Sequence, residues 1–235
     1  MQLILRVKFT KESYLKYISH LDTMRFFQRM FRMADIPIAY SEGFNPHPKF
    51  SIASALSLGI SSEGEYMDIE LEKSIPVETF IDNMNGVLPD NVRILDGKYT
   101  DDDSSISSLI KWGYYNIQFE IDNEKMTQEK LEEIMKAFLS EENIVIKKEK
   151  RKRKKIIERE VNIKPQIGNV ILKGIYNNIV KLNVLLKTGD SGNLKPTDFL
   201  KGLVEYTSLI IIDDSIKIHR IDLYTEEQNR IVSPL

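Results

Sequence analysis

The chain has 235 residues, is 42% hydrophobic and 29% charged, and carries a formal net charge of −2. Such a composition fits one large or two modest globular domains with a buried core, and no apolar run approaches the roughly 20 residues that span a bilayer. Cysteine is absent, which excludes disulfides, thiolate zinc sites, a cysteine nucleophile and cysteine-ligated iron–sulfur clusters from this chain; a cytoplasmic location is the default expectation.

Residues 2–9 read as a strand, with Arg6 breaking any resemblance to a signal-peptide core. Residues 19–34 read as a helix. Ser19 is its N-cap with Asp22 at capping-box spacing, and Asp35-Ile36-Pro37 is its stop. Met24, Phe26, Phe27, Met30, Phe31, Met33 and Ala34 fall on a core side. Arg25, Arg29 and Arg32 cluster within about 60° on the other side, as their spacing dictates. With only Asp22 near that face, the arginines are expected to lack local neutralisation.

The segment YSEGFNPHPKF, 40–50, is a dense loop with two prolines, a glycine, a histidine and three aromatics. Residues 50–58, FSIASALSL, alternate strictly. They predict a strand with one large-residue face and one small-residue face, Ser51 to Ser57, suited to close approach by a partner. GISSEG, 59–64, reads as a turn, and residues 65–71, 77–84 and 92–99 as strand, helix and strand. TDDDSSISS, 100–108, reads as a linker or exposed loop.

The element order then recurs. Residues 114–121 predict a strand, and 127–139 a helix capped by Thr127. A strand from 143 runs into the basic block, and 167–175 and 179–186 form a hairpin around Asn177-Asn178. A helix at 196–206 and a strand at 216–224 close the pattern. The expected fold class is α+β, two tandem ferredoxin-like β-α-β-β-α-β modules with antiparallel sheets. The first covers 1–100, and the second covers 110–228 with a basic hairpin at 147–164.

Residues 147–160, KKEKRKRKKIIERE, carry a local charge of +6, leaving −8 for the rest of the chain. Lys152, Arg153 and Lys154 are its candidate phosphate contacts, since basic arms bind nucleic-acid backbones through charge. On the first helix, Arg25, Arg29 and Arg32 are candidates for the same chemistry, because guanidinium groups grip phosphate in a fork. In the dense loop, Tyr40, Phe44, Asn45, His47 and Lys49 are candidate contacts to a base or an anionic group. His20 and His47 are the candidate general acid/base residues; the plain alternative for each is a structural or solvent-facing histidine. No metal-ligand spacing and no phosphate-binding or serine-hydrolase motif occurs.

The run from Tyr17 to Leu71 resembles the signature of the radical SAM-linked (radical SAM-associated) proteins, DUF2344. The matching residues are Ser19, His20, Leu21, Asp22, Arg25, Tyr40, Ser41, Gly43, Phe44, Asn45, Pro46, His47, Pro48 and Lys49. GNLKPTDFLKGL, 192–203, is a weaker match, and Ala34-Asp35 departs from a commoner Ala-Gly pair. The resemblance implies a radical SAM protein as partner, with the iron–sulfur cluster and S-adenosylmethionine held there and no cofactor in this chain. Together with the basic features, it yields three expectations. The first is an accessory or substrate-binding protein acting with a radical SAM enzyme on tRNA or rRNA. The second is a metal-independent RNA-processing or modifying enzyme using His20 or His47. The third is a protein-interaction module docking the radical SAM partner.

Overall fold

A computed structural model describes residues 3–102, 104–123, 126–152, 155–189, 192–228 and 230–235, with side chains described outside 149–157. Its residues form two compact units, Met1–Gly113 with His219–Leu235, and Tyr114–Ile218. The last strand, expected to close the second module, therefore belongs from His219 onward with the first unit. Both units are mixed α+β with mostly antiparallel pairing.

In unit 1, β1 (Leu3–Lys11) lies between β4 (Ile94–Thr100) and β3 (Ser61–Leu71), antiparallel to both. Alternate β1 residues Leu5, Val7 and Phe9 are buried, as are Met67, Ile69 and Leu71 of β3. They pack against α1 (His20–Met33) through Phe27, Met30 and Phe31, and against α2 (Val77–Val87) through Phe80 and Met84. Phe9 and Phe27 meet edge to face at 4.9 Å, a contact adding about 0.5–1.5 kcal/mol beyond burial. Met33, placed on the core side by its spacing, is instead 53% exposed.

The outer edge of β3 has two occupants. β2 (Phe50–Ile52) pairs with Met67–Ile69, antiparallel, and β10 (Lys217–Glu227) pairs with Ser61 and Ser62, parallel. The predicted strand 50–58 stops at Ile52: the Ala53 N–H still donates to the Tyr66 carbonyl at 2.8 Å, and the Ser61–Ser62 end of that edge is taken by a later part of the chain. Residues 53–60 turn away as loop, with Ala53 and Leu56 buried and Ala55 and Ser57 exposed. The expected small-residue strand face does not form. β3 conversely begins earlier than predicted, because Gly64 is a close-approach position rather than a turn. A Cβ there would sit 2.4 Å from the Ile221 carbonyl oxygen and 2.5 Å from Asp222 Cα.

The other face of this sheet is covered by a small cluster of Ala53, Tyr66, Ile106, Ile110 and Leu223, with Leu235 against it. The serine-rich stretch expected to be a linker thus anchors itself through α3 (Ile106–Leu109). The Ile106 N–H donates to Asp68 Oδ2 at 3.1 Å.

In unit 2, β5 (Trp112–Glu120), β9 (Ile179–Lys187) and β8 (Ile167–Tyr176) lie side by side in that order. Their inward residues, among them Ile117, Phe119, Leu182 and Val184, pack on α4 (Gln128–Ser140) and α5 (Pro196–Tyr206). Asn177 (φ 48) and Asn178 (φ 62) make the tight turn between β8 and β9, the left-handed pair that a two-residue hairpin requires. The basic block is a separate two-stranded ribbon, β6 (Val145–Lys152) and β7 (Lys155–Asn162). Among the described residues no helix is long and apolar enough to cross a membrane.

Candidate functional site

The loop 40–49 is braced from within. Tyr40 bridges Pro48, the Ser41 N–H donates to the His47 carbonyl at 2.9 Å, and the His47 N–H donates to Ser41 Oγ at 3.0 Å. The Lys49 N–H closes the base by donating to the Ala39 carbonyl at 2.8 Å. Gly43, at φ 115, supplies the left-handed corner that a Cβ would strain. The result is a fixed tip whose Phe44 ring is fully exposed, with Asn45 and His47 exposed beside it. Hiding a phenyl ring from water is worth about 1.5–3 kcal/mol, and here the ring stays in solvent.

Lys49 is less available than its sequence setting suggested. Its Nζ is 2.9 Å from Glu70 Oε1, at a cleft of about 280 Å3 that also contains Asp68, Ser104 and Ser105. Both carboxylates of that cleft already have cations. Glu70 has Lys49, and Asp68 accepts from Arg6 Nε at 2.8 Å and Nη2 at 3.0 Å.

On α1, Ser19 caps as predicted: its Oγ accepts from the Asp22 N–H at 3.1 Å and donates to Asp22 Oδ2 at 2.7 Å. The Ser19 hydroxyl, with Arg25 behind it, holds the Asp22 carboxyl below its ordinary pKa. Arg25 lies 3.3 Å from Asp22 Oδ1, so this member of the stripe does have local neutralisation, contrary to expectation. Arg29 and Arg32 are exposed. Of the ribbon candidates, Arg153 and Lys154 lie outside the described residues, as does the side chain of Lys152.

The structure also assembles a polar crevice that the sequence did not signal. Lys11, Glu65 and Arg220 are buried together; Arg220 Nη1 donates to both Glu65 oxygens at 2.9 and 3.1 Å, and Lys11 Nζ donates to the Ile18 carbonyl at 3.0 Å. Burial, and then the nearby Arg220 guanidinium, push the Lys11 pKa down, while Glu65 opposes them. His20, Thr23 and Ser54 line the mouth beside Lys11 and Glu65, and the space is about 10 Å3, room for about one water. Three positions this distant in sequence leave no local pattern to read. His219, the third histidine, bonds Ser61 Oγ through Nδ1 at 2.8 Å. Among the described residues no group of three or more His, Asp or Glu is placed to hold a metal ion.

The fold and these sites describe a mixed α+β protein whose recognisable segment is a displayed loop beside a basic helix. The chain belongs to the family described as "Uncharacterized protein conserved in bacteria (DUF2344)", whose model matches residues 5–196. No curated protein matches it. Among solved structures it is similar to a chain of the "Crystal Structure of a Cbf5-Nop10-Gar1 Complex", at 12% identity and a TM-score of 0.50. The likeness covers 95% of this chain and 50% of that one, so this chain spans about half the neighbour's length.

Proposed function

We propose that this chain is a cytoplasmic accessory or substrate-binding protein that acts with a radical SAM enzyme in tRNA or rRNA modification or metabolism. The observation that carries the reading is the braced loop 40–49, which presents Phe44, Asn45 and His47 on a backbone already fixed by its own hydrogen bonds. A preorganised loop binds without the ordering cost that flexible segments incur. An exposed ring can stack on an unpaired base, and the exposed Arg29 and Arg32 and the basic ribbon suit phosphates. The iron–sulfur cluster and S-adenosylmethionine reside on the partner in this reading. We also propose a finer fold. The order β4-β1-β3-β2 with α1 and α2 on one face supports a ferredoxin-like unit 1. The β5-β9-β8 order, with α4 and α5 on one face, supports a second such unit interrupted by the ribbon.

Gel-shift titration of the full chain against total tRNA and rRNA tests the RNA part. Salt-sensitive binding is expected, weakened both by Phe44→Ala and by reversing Arg25, Arg29 and Arg32 to Glu. Absence of salt-sensitive binding overturns it. Affinity purification from cells tests the partner: a radical SAM protein is expected to co-purify, and a stable complex that never carries nucleic acid favours the protein-interaction reading. A second reading rests on the crevice, where His20 stands beside a lysine of lowered pKa and a carboxylate. It predicts an RNA-processing activity abolished by His20→Ala.

A further inference from the structure

We propose that the outward face of the β5-β9-β8 sheet binds single-stranded RNA; this deepens the RNA reading above and rests on it. Strand alternation sends one set of side chains to α4 and α5 and leaves the other set outward. The outward set includes Asn116 and Gln118 on β5, Lys181 and Asn183 on β9, and Lys173 and Tyr176 on β8. These polar, aromatic and basic side chains share the surface with Ile171, Ile179 and Leu185.

Its geometry is built rather than incidental. Between Leu172 and Gly174 the β8–β9 register slips, so Lys173 is an extra residue and Gly174 stands opposite Lys181. Gly174 has φ +139, a conformation that only glycine adopts without strain. Such bulges re-aim side chains, and here Lys173 and Lys181 both line one concavity of about 300 Å3 with Gln118 and Tyr176. Tyr176 is 77% exposed and sits directly before the rigid Asn177-Asn178 turn. Asn116 donates to Asn183 at 2.9 Å, and Asn183 to the Tyr114 hydroxyl at 3.0 Å, so the amides are fixed.

The chemistry selects the ligand. β8 and β9 contain lysines and no carboxylate, and β5 contributes one acid, Glu120, at its end. Lysines around an exposed ring suit phosphates around a base. Protein-interface cores are instead depleted in lysine. A duplex hides its base faces, whereas an unpaired strand can lay one on Tyr176 and offer its edge to Gln118.

The test is fluorescence anisotropy with the full chain and a labelled, mixed-sequence RNA of about 12 nucleotides, single-stranded and as a duplex. The single strand is expected to bind more tightly. Tyr176→Ala is expected to weaken it about tenfold while Tyr176→Phe retains it. Replacing Lys173 and Lys181 by Gln is expected to reduce the slope of log affinity against log salt by about 1.4. Thermal melting verifies that each variant is folded, and the lysine pair decides the matter if Tyr176→Ala is not. If the wild type binds RNA and both sets of variants bind it unchanged, this face is not the site, although the RNA reading stands on the loop and α1. A preference for duplex overturns the single-strand assignment. No RNA binding at any salt concentration overturns both.

Discussion

Lys11 carries a charge that its surroundings disfavour. Burial lowers its pKa from the ordinary 10.5, so as pH rises the folded chain releases this proton before the unfolded chain does. In that interval the unfolded state holds more protons, and stability rises with pH. The urea midpoint of wild type should therefore rise relative to that of Lys11→Met as pH climbs towards 10.5; parallel curves would rule the argument out. Gly64 is as demanding for steric reasons. Its Cβ position is filled by backbone of Ile221 and Asp222, which cannot rotate aside as a long side chain can. Gly64→Ala should cost about 1–3 kcal/mol, read as a lower urea midpoint with unchanged slope.

The C-terminus of α1 shows how an element ends. Ile36 N–H donates to the Phe31 carbonyl at 3.0 Å and Asp35 N–H to Arg32 at 3.4 Å. This is a Schellman pair whose left-handed residue is Asp35, at φ 49. Glycine occupies that conformation without strain, so Asp35→Gly should raise stability by about 0.5–1 kcal/mol, measurable as a higher melting temperature. A fall would show that the Asp35 side chain contributes something glycine cannot.

The α1 boundary was legible in the sequence because caps and stops are written in a few consecutive residues, Ser19 with Asp22 and Asp35 with Pro37. Asn177-Asn178 was legible for the same reason. Residues 53–58 read as strand because their alternation is local, whereas the Ser61–Ser62 end of the β3 edge is occupied by β10. Gly64 looked like a turn for want of that same distant strand. The displayed loop was found by its composition. The crevice of Lys11, Glu65 and Arg220 was not, since its charges sit inside strands. The outward face of unit 2 carries no signal in the sequence because polar alternation alone does not distinguish a binding surface from a wet one.

At the scale of the molecule, unit 1 is completed by residues from the far end of the chain. Arg220 neutralises the buried Glu65, Asp222 meets Lys8 at 2.7 Å, and Leu223 covers Tyr66. Removing one member of a buried ion pair typically costs about 3–5 kcal/mol. A chain ending at Ile218 should therefore lose amide protection throughout β1 and β3, as followed by hydrogen exchange. Retention of full-length protection there would refute this dependence. The same arrangement sets a clock on synthesis. Ser61 and His219 are 158 positions apart, and at about 5–20 residues per second the ribosome needs roughly 8–30 s to bring the second strand to the first. During that interval the Ser61–Ser62 end of the β3 edge lacks β10, and the Tyr66 cluster lacks Leu223. A nascent chain is then open to intermolecular strand pairing, and slowed elongation after β3 should increase its demand for chaperones.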